Sequence, residues 1–140
     1  MRWRRVRDPL QCMRTSSAPS AEALTGESGE ERGWLLRDGS VLASLEIPAS
    51  RQGRALGLIG RDSIQGAMLL CKVRSVHSFG MRFDLDVAYV DVNGLVVRTL
   101  RLPRNRIAPP VWRAHYVLEC EVGSFGRWGL SVGDELEFRR

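Results

Sequence analysis

Long apolar runs are missing from this 140-residue chain: Arg, Asp or Gly interrupts each one within a few positions. A bilayer-spanning helix needs about 18 to 20 apolar residues, so a transmembrane reading is excluded. The start, "MRWRRVRDPLQCMRTSS", is basic but has no continuous apolar core of the kind a signal peptide carries, and a cytoplasmic location is expected. Cysteine is scarce. Cys12, Cys71 and Cys120 are far apart, form no Cys-x-x-Cys, and meet no histidine at metal-ligand spacing. Reduced thiols are expected, with Cys71 and Cys120 buried and no metal. Lysine is almost absent: Lys72 stands against 20 arginines. GC-rich coding produces that skew, so the net charge of +5 and pI near 9.8 are weak support for a polyanionic partner.

What is present reads as one β-rich domain. Residues 1–32, with "TSSAPSAEALTGESGEER", lack an apolar period and are read as a disordered leader, leaving 33–140 as the domain. "WLLRDGSVLASLEI" places two apolar arms around Asp38-Gly39, a hairpin signal. "PASRQGRALGLIGRD" predicts a short helix over about residues 51–59, with Ser50 as N-cap and Gly60 as terminator. "GAMLLCKVRSV" reads as a buried strand. "LDVAYVDVNGLVVRTLRL" is the clearest hairpin, with Asn93-Gly94 suggesting a type I′ turn. Three prolines make "PRNRIAPPVWRA" a loop. "HYVLECEV" resumes a strand, "GSFGRWGL" is a turn or single helical turn, and "SVGDELEFRR" turns at Gly133-Asp134 into a last strand. The expected fold is mostly β, a compact antiparallel sandwich or partly closed barrel with one short helix.

Chemistry concentrates in "VRSVHSFGMRFDLDVAYVD", residues 73–91. His77 could act as a base if Asp84, Asp86 or Asp134 oriented its ring, but no nucleophile elbow surrounds Ser75 or Ser78. A structural histidine is the preferred reading. Asp86 could accept backbone N–H bonds from the preceding turn, or pair with Arg61 or Arg82. His77, His115, Asp84, Asp86 and Glu119 have no spacing that pre-forms a metal geometry. "GLIG" and "GSFGRWG" lack the setting of a phosphate loop. No cofactor is implied. The segment 98–115 carries Arg98, Arg101, Arg104, Arg106, Arg113 and Trp112. It is read as a solvated strand and loop with Trp112 packed beneath the arginines, in preference to a single-stranded nucleic-acid surface.

The order of "RALGLIGRD", "VHSFGMRFDLDVAYVD", "VNGLVV", "YVLECEVG" and "GLSVGDELEF" resembles the prokaryotic family known as domain of unknown function number 192, over about residues 34–139. Arg54 and Gly57-Leu58-Ile59-Gly60-Arg61 are similar to its Arg and Gly-Leu-Met-x-Arg pattern. His77 to Asp86 is similar to a subgroup with His-Thr-Phe-Gly-Met-Arg-Phe-Pro-Ile-Asp, with Asp84 at the usual proline. Other members have tryptophan at the place of His77, which removes proton chemistry there, whereas an aspartate at Asp86 belongs to both patterns. The resemblance implies a small mostly-β domain and no established activity.

Three functional readings follow. The first is a non-catalytic binding or accessory domain whose cleft, edged by Arg61, His77, Arg82 and Asp86, takes a small polar ligand or a protein partner. The alternative is a small hydrolase using His77 as base and Asp86 as its orienter. The third, disfavoured, is single-stranded nucleic-acid binding through residues 98–115.

Overall fold

The computed structural model describes residues 30–48 and 58–139. Residues 1–29 of the expected leader and most of the helix expected at 51–59 fall outside the described residues; Glu30–Arg32, the end of that leader, are instead strand paired with residues 46–48, and Leu58, Ile59 and Gly60 form a turn. Seven strands are present: β1 (Glu30–Arg37), β2 (Ser40–Pro48), β3 (Ala67–Cys71), β4 (Leu85–Val90), β5 (Val96–Leu102), β6 (Tyr116–Glu121) and β7 (Glu137–Arg139). A five-residue helix, α1 (Ser124–Trp128), lies between β6 and β7, at the single helical turn expected around Trp128.

The strands form one mixed sheet in the order β5-β4-β6-β3-β2-β1-β7. The fold is mostly β as expected, with one departure from an all-antiparallel sheet: β2 and β3 are parallel, pairing Leu45 with Ala67 and Glu46 with Met68. A parallel pair requires a crossover of a dozen or more residues, and the chain from 49 to 66 makes it. At its end Gly66 (φ 80°) presses against β2, where an added Cβ would strike the Ser44 carbonyl oxygen.

Both expected hairpins form. β1 and β2 meet at Asp38 (φ 51°) and Gly39 (φ 78°), the two left-handed residues of a tight two-residue turn. The β4–β5 turn is longer than a type I′ turn: among its residues only Gly94 is left-handed (φ 87°), and Asp91 N–H bonds the Leu95 carbonyl at 2.9 Å. The carboxylate of Asp91 accepts the N–H groups of Asn93 and Leu95, so a side chain that no dipeptide cue includes shapes the loop.

The sheet curls until its edges approach. Leu136 N–H donates to the Gly94 carbonyl and Val96 N–H to the Asp134 carbonyl, joining the approach to β7 with the start of β5. The result is a partly open barrel. Its inner face draws apolar side chains from all seven strands, among them Leu35, Leu45, Leu69, Ala88, Val96, Leu118 and Phe138. Phe125 and Leu130, in and just after α1, join that core. Arg37 fastens this end, donating to the carbonyls of Trp128 (2.6 Å) and Gly129 (2.9 Å) and pairing with Asp134. The outer face of β3, β6 and β4 is covered instead by loops, through Leu58, Ile64, Val76, Met81, Ala108 and Ala114 packed on Met68, Val87, Tyr89 and Val117. Burying both faces of β3, β4 and β6 explains their near-continuous apolar sequences.

Cys71 is disulfide-bonded, which corrects the expectation of reduced thiols; Cys120 is free and buried. Burial pushes the Cys120 thiol pKa up.

Candidate functional site

Alternation along β4 sets the geometry of the site. Asp86 points to the same face as Ala88 and Val90, which is the inner one, whereas Leu85, Val87 and Tyr89 point outward. On the inner side the Asp86 carboxylate accepts the N–H groups of Gly123 (3.0 Å) and Phe125 (3.1 Å). It therefore holds the turn that starts α1, a donor pair supplied by the β6–α1 connection and not by the turn before β4. Ser124 reinforces that turn by donating to the Glu121 carbonyl at 2.7 Å.

The other three expected site residues lie on the loop-covered side. Arg61 pairs with Glu46 at 2.8 Å, and Arg82 with Asp62 at 2.8 Å. These ion pairs stitch the 58–66 segment to β2 on one side and to the 77–83 loop on the other. His77 is exposed, bridges Ile107, stacks on Phe79 at 5.3 Å, and accepts the Phe79 N–H at Nδ1. Its ring has no carboxylate partner among the described residues, and Asp86 lies across the sheet from it. The structure thus links Arg61 and Arg82 through the 58–66 segment, sets His77 at the start of the same loop as Arg82 but joined to Ile107 and Phe79, and separates Asp86 from all three.

The remaining polar residues of the 73–91 stretch hold loops together. Ser78, fully buried, donates to the Pro103 carbonyl and accepts Arg106 N–H. Asp84 accepts a guanidinium N–H of Arg101 (3.1 Å) and the backbone N–H of Arg104 (3.0 Å). The hydrogen bond from Arg101, then that from Arg104, lowers its pKa. A charge replaces the rigidity of proline there and pins the end of β5. His115 is half-buried; burial first, then Lys72 and Arg74, lowers its pKa.

Two features escaped the sequence reading. The first is a cleft of about 380 Å³ on the outer face of β1 and β2, lined by Arg32, Trp34, Ser44, Glu46 and Gln65. Trp34 is half-exposed there, and the Arg61–Glu46 pair sits at its edge. Arg32, Trp34, Ser44 and Glu46 become neighbours because Trp34 pairs with Ser44 and Arg32 with Glu46 in the hairpin. The period-2 pattern carried that information, but the open stretch of outer face did not show in it. The second is Glu119, in the central strand β6 between Met68 of β3 and Val87 of β4. It is 4% exposed, with no hydrogen-bond or ion-pair partner among the described residues. Burial pushes its carboxyl pKa up to about 7. Its signal in the sequence was a glutamate set between apolar residues, Leu118 and Cys120, inside a strand. Among the described residues no three His, Cys, Asp or Glu side chains gather as a metal site.

The segment 98–115 also differs from expectation. Trp112 does not pack beneath the arginines; it is 76% exposed, with the Arg74 guanidinium carbon 6.0 Å from its ring centroid.

The family model DUF192 (Uncharacterized ACR, COG1430) matches residues 35–138, and the chain belongs to that family. Among solved structures, one of a candidate transcription regulator from Sinorhizobium meliloti is 26% identical with a TM-score of 0.64, covering 81% of this chain and 98% of that one. Another, of a protein of unknown function from Novosphingobium aromaticivorans, is 17% identical with a TM-score of 0.64, covering 87% and 94%. The latter likeness concerns the fold alone. Among curated proteins none matches the sequence.

Proposed function

We propose that this DUF192 domain is a non-catalytic binding module that takes a small polar ligand in the outer cleft of β1 and β2. The observation that carries the reading is the half-exposed Trp34 ring set beside the Glu46–Arg61 ion pair in a cleft of about 380 Å³. An aromatic face gives a ligand apolar area at little entropic cost. Arg32, Ser44, Glu46 and Gln65 supply the few convergent donors and acceptors that orient it. Arg61 then acts by holding Glu46 in place as well as by offering its own N–H groups. Arg82, through Asp62, steadies the same 58–66 segment from outside, and Asp86 acts at a distance by keeping α1 seated. A hydrolase built on His77 and Asp86 is disfavoured because the two lie on opposite faces of the sheet. The candidate transcription regulator from S. meliloti accords with a binding role at 26% identity.

The test is a thermal-shift screen of small polar metabolites on the full chain, followed by Trp fluorescence titration of any hit. A ligand whose affinity falls ten-fold or more in both Trp34→Ala and Glu46→Gln, each with an unchanged melting curve, supports the cleft. A hit indifferent to both substitutions, or no hit across the screen, overturns it.

No helix of the described residues is long and apolar enough to cross a membrane. The disulfide at Cys71 counts against the cytoplasmic placement expected from the sequence, since reducing pools keep cytosolic thiols free. Because Cys71 is buried, alkylation after rapid denaturation of cells in acid decides: Cys71 labelled without reductant restores the cytoplasmic placement, and Cys71 labelled only after reduction removes it.

A further inference from the structure

The loops over the outer face contain a second ladder that the seven-stranded sheet does not include. Val111 N–H donates to the Arg74 carbonyl (2.9 Å), Ala108 N–H to the Val76 carbonyl (2.8 Å), and Ser78 N–H to the Arg106 carbonyl (2.8 Å). Segments 74–78 and 106–111 therefore run side by side as a short irregular ribbon. Its underside is sealed: Val76 and Ala108 join the outer core, Ser75 Oγ bonds the Ala108 carbonyl, and the Tyr89 hydroxyl bonds the Pro109 carbonyl. Its upper side is not. Phe79 is 47% exposed, Ile107 64% and Trp112 76%, with His77 exposed between Phe79 and Ile107. Buried apolar residues below and bare rings above make a platform held rigid from beneath.

The charge around these rings has one sign. Arg74, Arg106 and Arg113 are exposed and meet no carboxylate among the described residues, whereas Arg101 and Arg104 are partly neutralised by Asp84. Arg74 already lies near the Trp112 face, the arrangement in which a guanidinium and a base can share one aromatic neighbour. Each end of the ribbon thus carries an exposed ring and an unneutralised arginine, Trp112 beside Arg74 at one end and Phe79 next to the Ser78–Arg106 pairing at the other, which suits a strand that offers phosphates and unpaired bases.

We propose that the 74–78/106–113 ribbon binds single-stranded nucleic acid, stacking bases on Trp112 and Phe79 and neutralising phosphates with Arg74, Arg106 and Arg113. The surface is independent of the Trp34 cleft. Stacking is tolerant of sequence because every base has a π face, so binding should show little base preference. Duplexes, whose bases are already stacked, should bind more weakly.

The experiment is fluorescence anisotropy of labelled oligo(U) and oligo(dT) with the full chain, titrated between about 50 and 200 mM salt. Trp112→Ala should lower affinity about 10-fold without altering the salt slope. Arg106→Gln with Arg113→Gln should make the log–log slope shallower by roughly 1.4, about 0.7 for each lost phosphate contact. These positions are exposed, and melting curves should match the parent. Four outcomes overturn the proposal. They are flat anisotropy at low salt, affinity unchanged in Trp112→Ala, duplex bound as tightly as single strand, and poly-glutamate peptide competing as well as oligo(U), which would indicate an acidic protein partner.

Discussion

Among the described residues Asp86 and Glu119 are the buried acidic residues, one on each face of the sheet, and the two have opposite surroundings. Asp86, 9% exposed on the inner face, receives two backbone N–H groups at 3.0 and 3.1 Å. Glu119, 4% exposed on the outer face and one strand away, has no partner among the described residues, and its pKa rises to about 7. Burial alone therefore does not define a carboxyl's role. A carboxyl group supplied with backbone donors acts as a fastener. In one without them, burial disfavours the charged form.

The comparison is broken most forcefully by removing the fastener. Asp86→Ala leaves the N–H groups of Gly123 and Phe125 without their acceptor and should cost about 3–6 kcal/mol, at roughly 1.5–3 kcal/mol for each bond to a carboxylate. Asp86→Asn retains a neutral acceptor and should lose about half as much. Urea denaturation measures both, and a loss below about 1 kcal/mol for Asp86→Ala would remove the fastening role.

Next comes the carboxyl group without donors. The folded-state pKa of Glu119 lies above its ordinary value of 4.5, so the unfolded chain binds fewer protons between pH 4.5 and about 7. Its contribution is fully present below pH 4.5 and is lost as pH rises through about 7, a decline on the order of 3 kcal/mol. Glu119→Gln should remove that part of the pH dependence and raise stability most above pH 7. Parallel pH slopes for the two proteins would show that Glu119 finds partners in solution.

The smallest effect is expected at the surface. Arg82 and Asp62 form a 2.8 Å ion pair that water and salt screen on nearly every side. Arg82→Ala should leave the melting temperature unchanged in calorimetry. A clear drop would mean that the 58–66 segment depends on this tether more than on Arg61–Glu46.

Much of the fold was legible in the chain. Asp38-Gly39 and Asn93-Gly94 marked both hairpins, and three prolines marked the loop after β5, because turn residues act through local backbone sterics. The loop around Gly94 departed from type I′ because the Asp91 side chain competes for the backbone N–H groups. Of the site, Asp86 was set above His77 in the sequence reading, and its partners were not foreseen. Those partners are donated by residues 123–125, which only the pairing of β4 with β6 brings alongside. Trp112 was expected beneath its arginines because apolar rings usually bury. The ribbon turns it outward, since Val76, Ala108 and Ala114 already fill the space below.

The sequence by itself determined which segments are strands, where they turn, and that Asp86 and Val87 look to opposite sides, because alternation and turn sterics are local properties. Only the tertiary structure decided that β6 lies between β3 and β4, that β2 and β3 run parallel, and that loops cover the outer face. Those choices bury Glu119, open the Trp34 cleft and place His77 across the sheet from Asp86. They depend on contacts between residues far apart in the chain, whose strength is set by which surfaces meet and not by what any one segment contains.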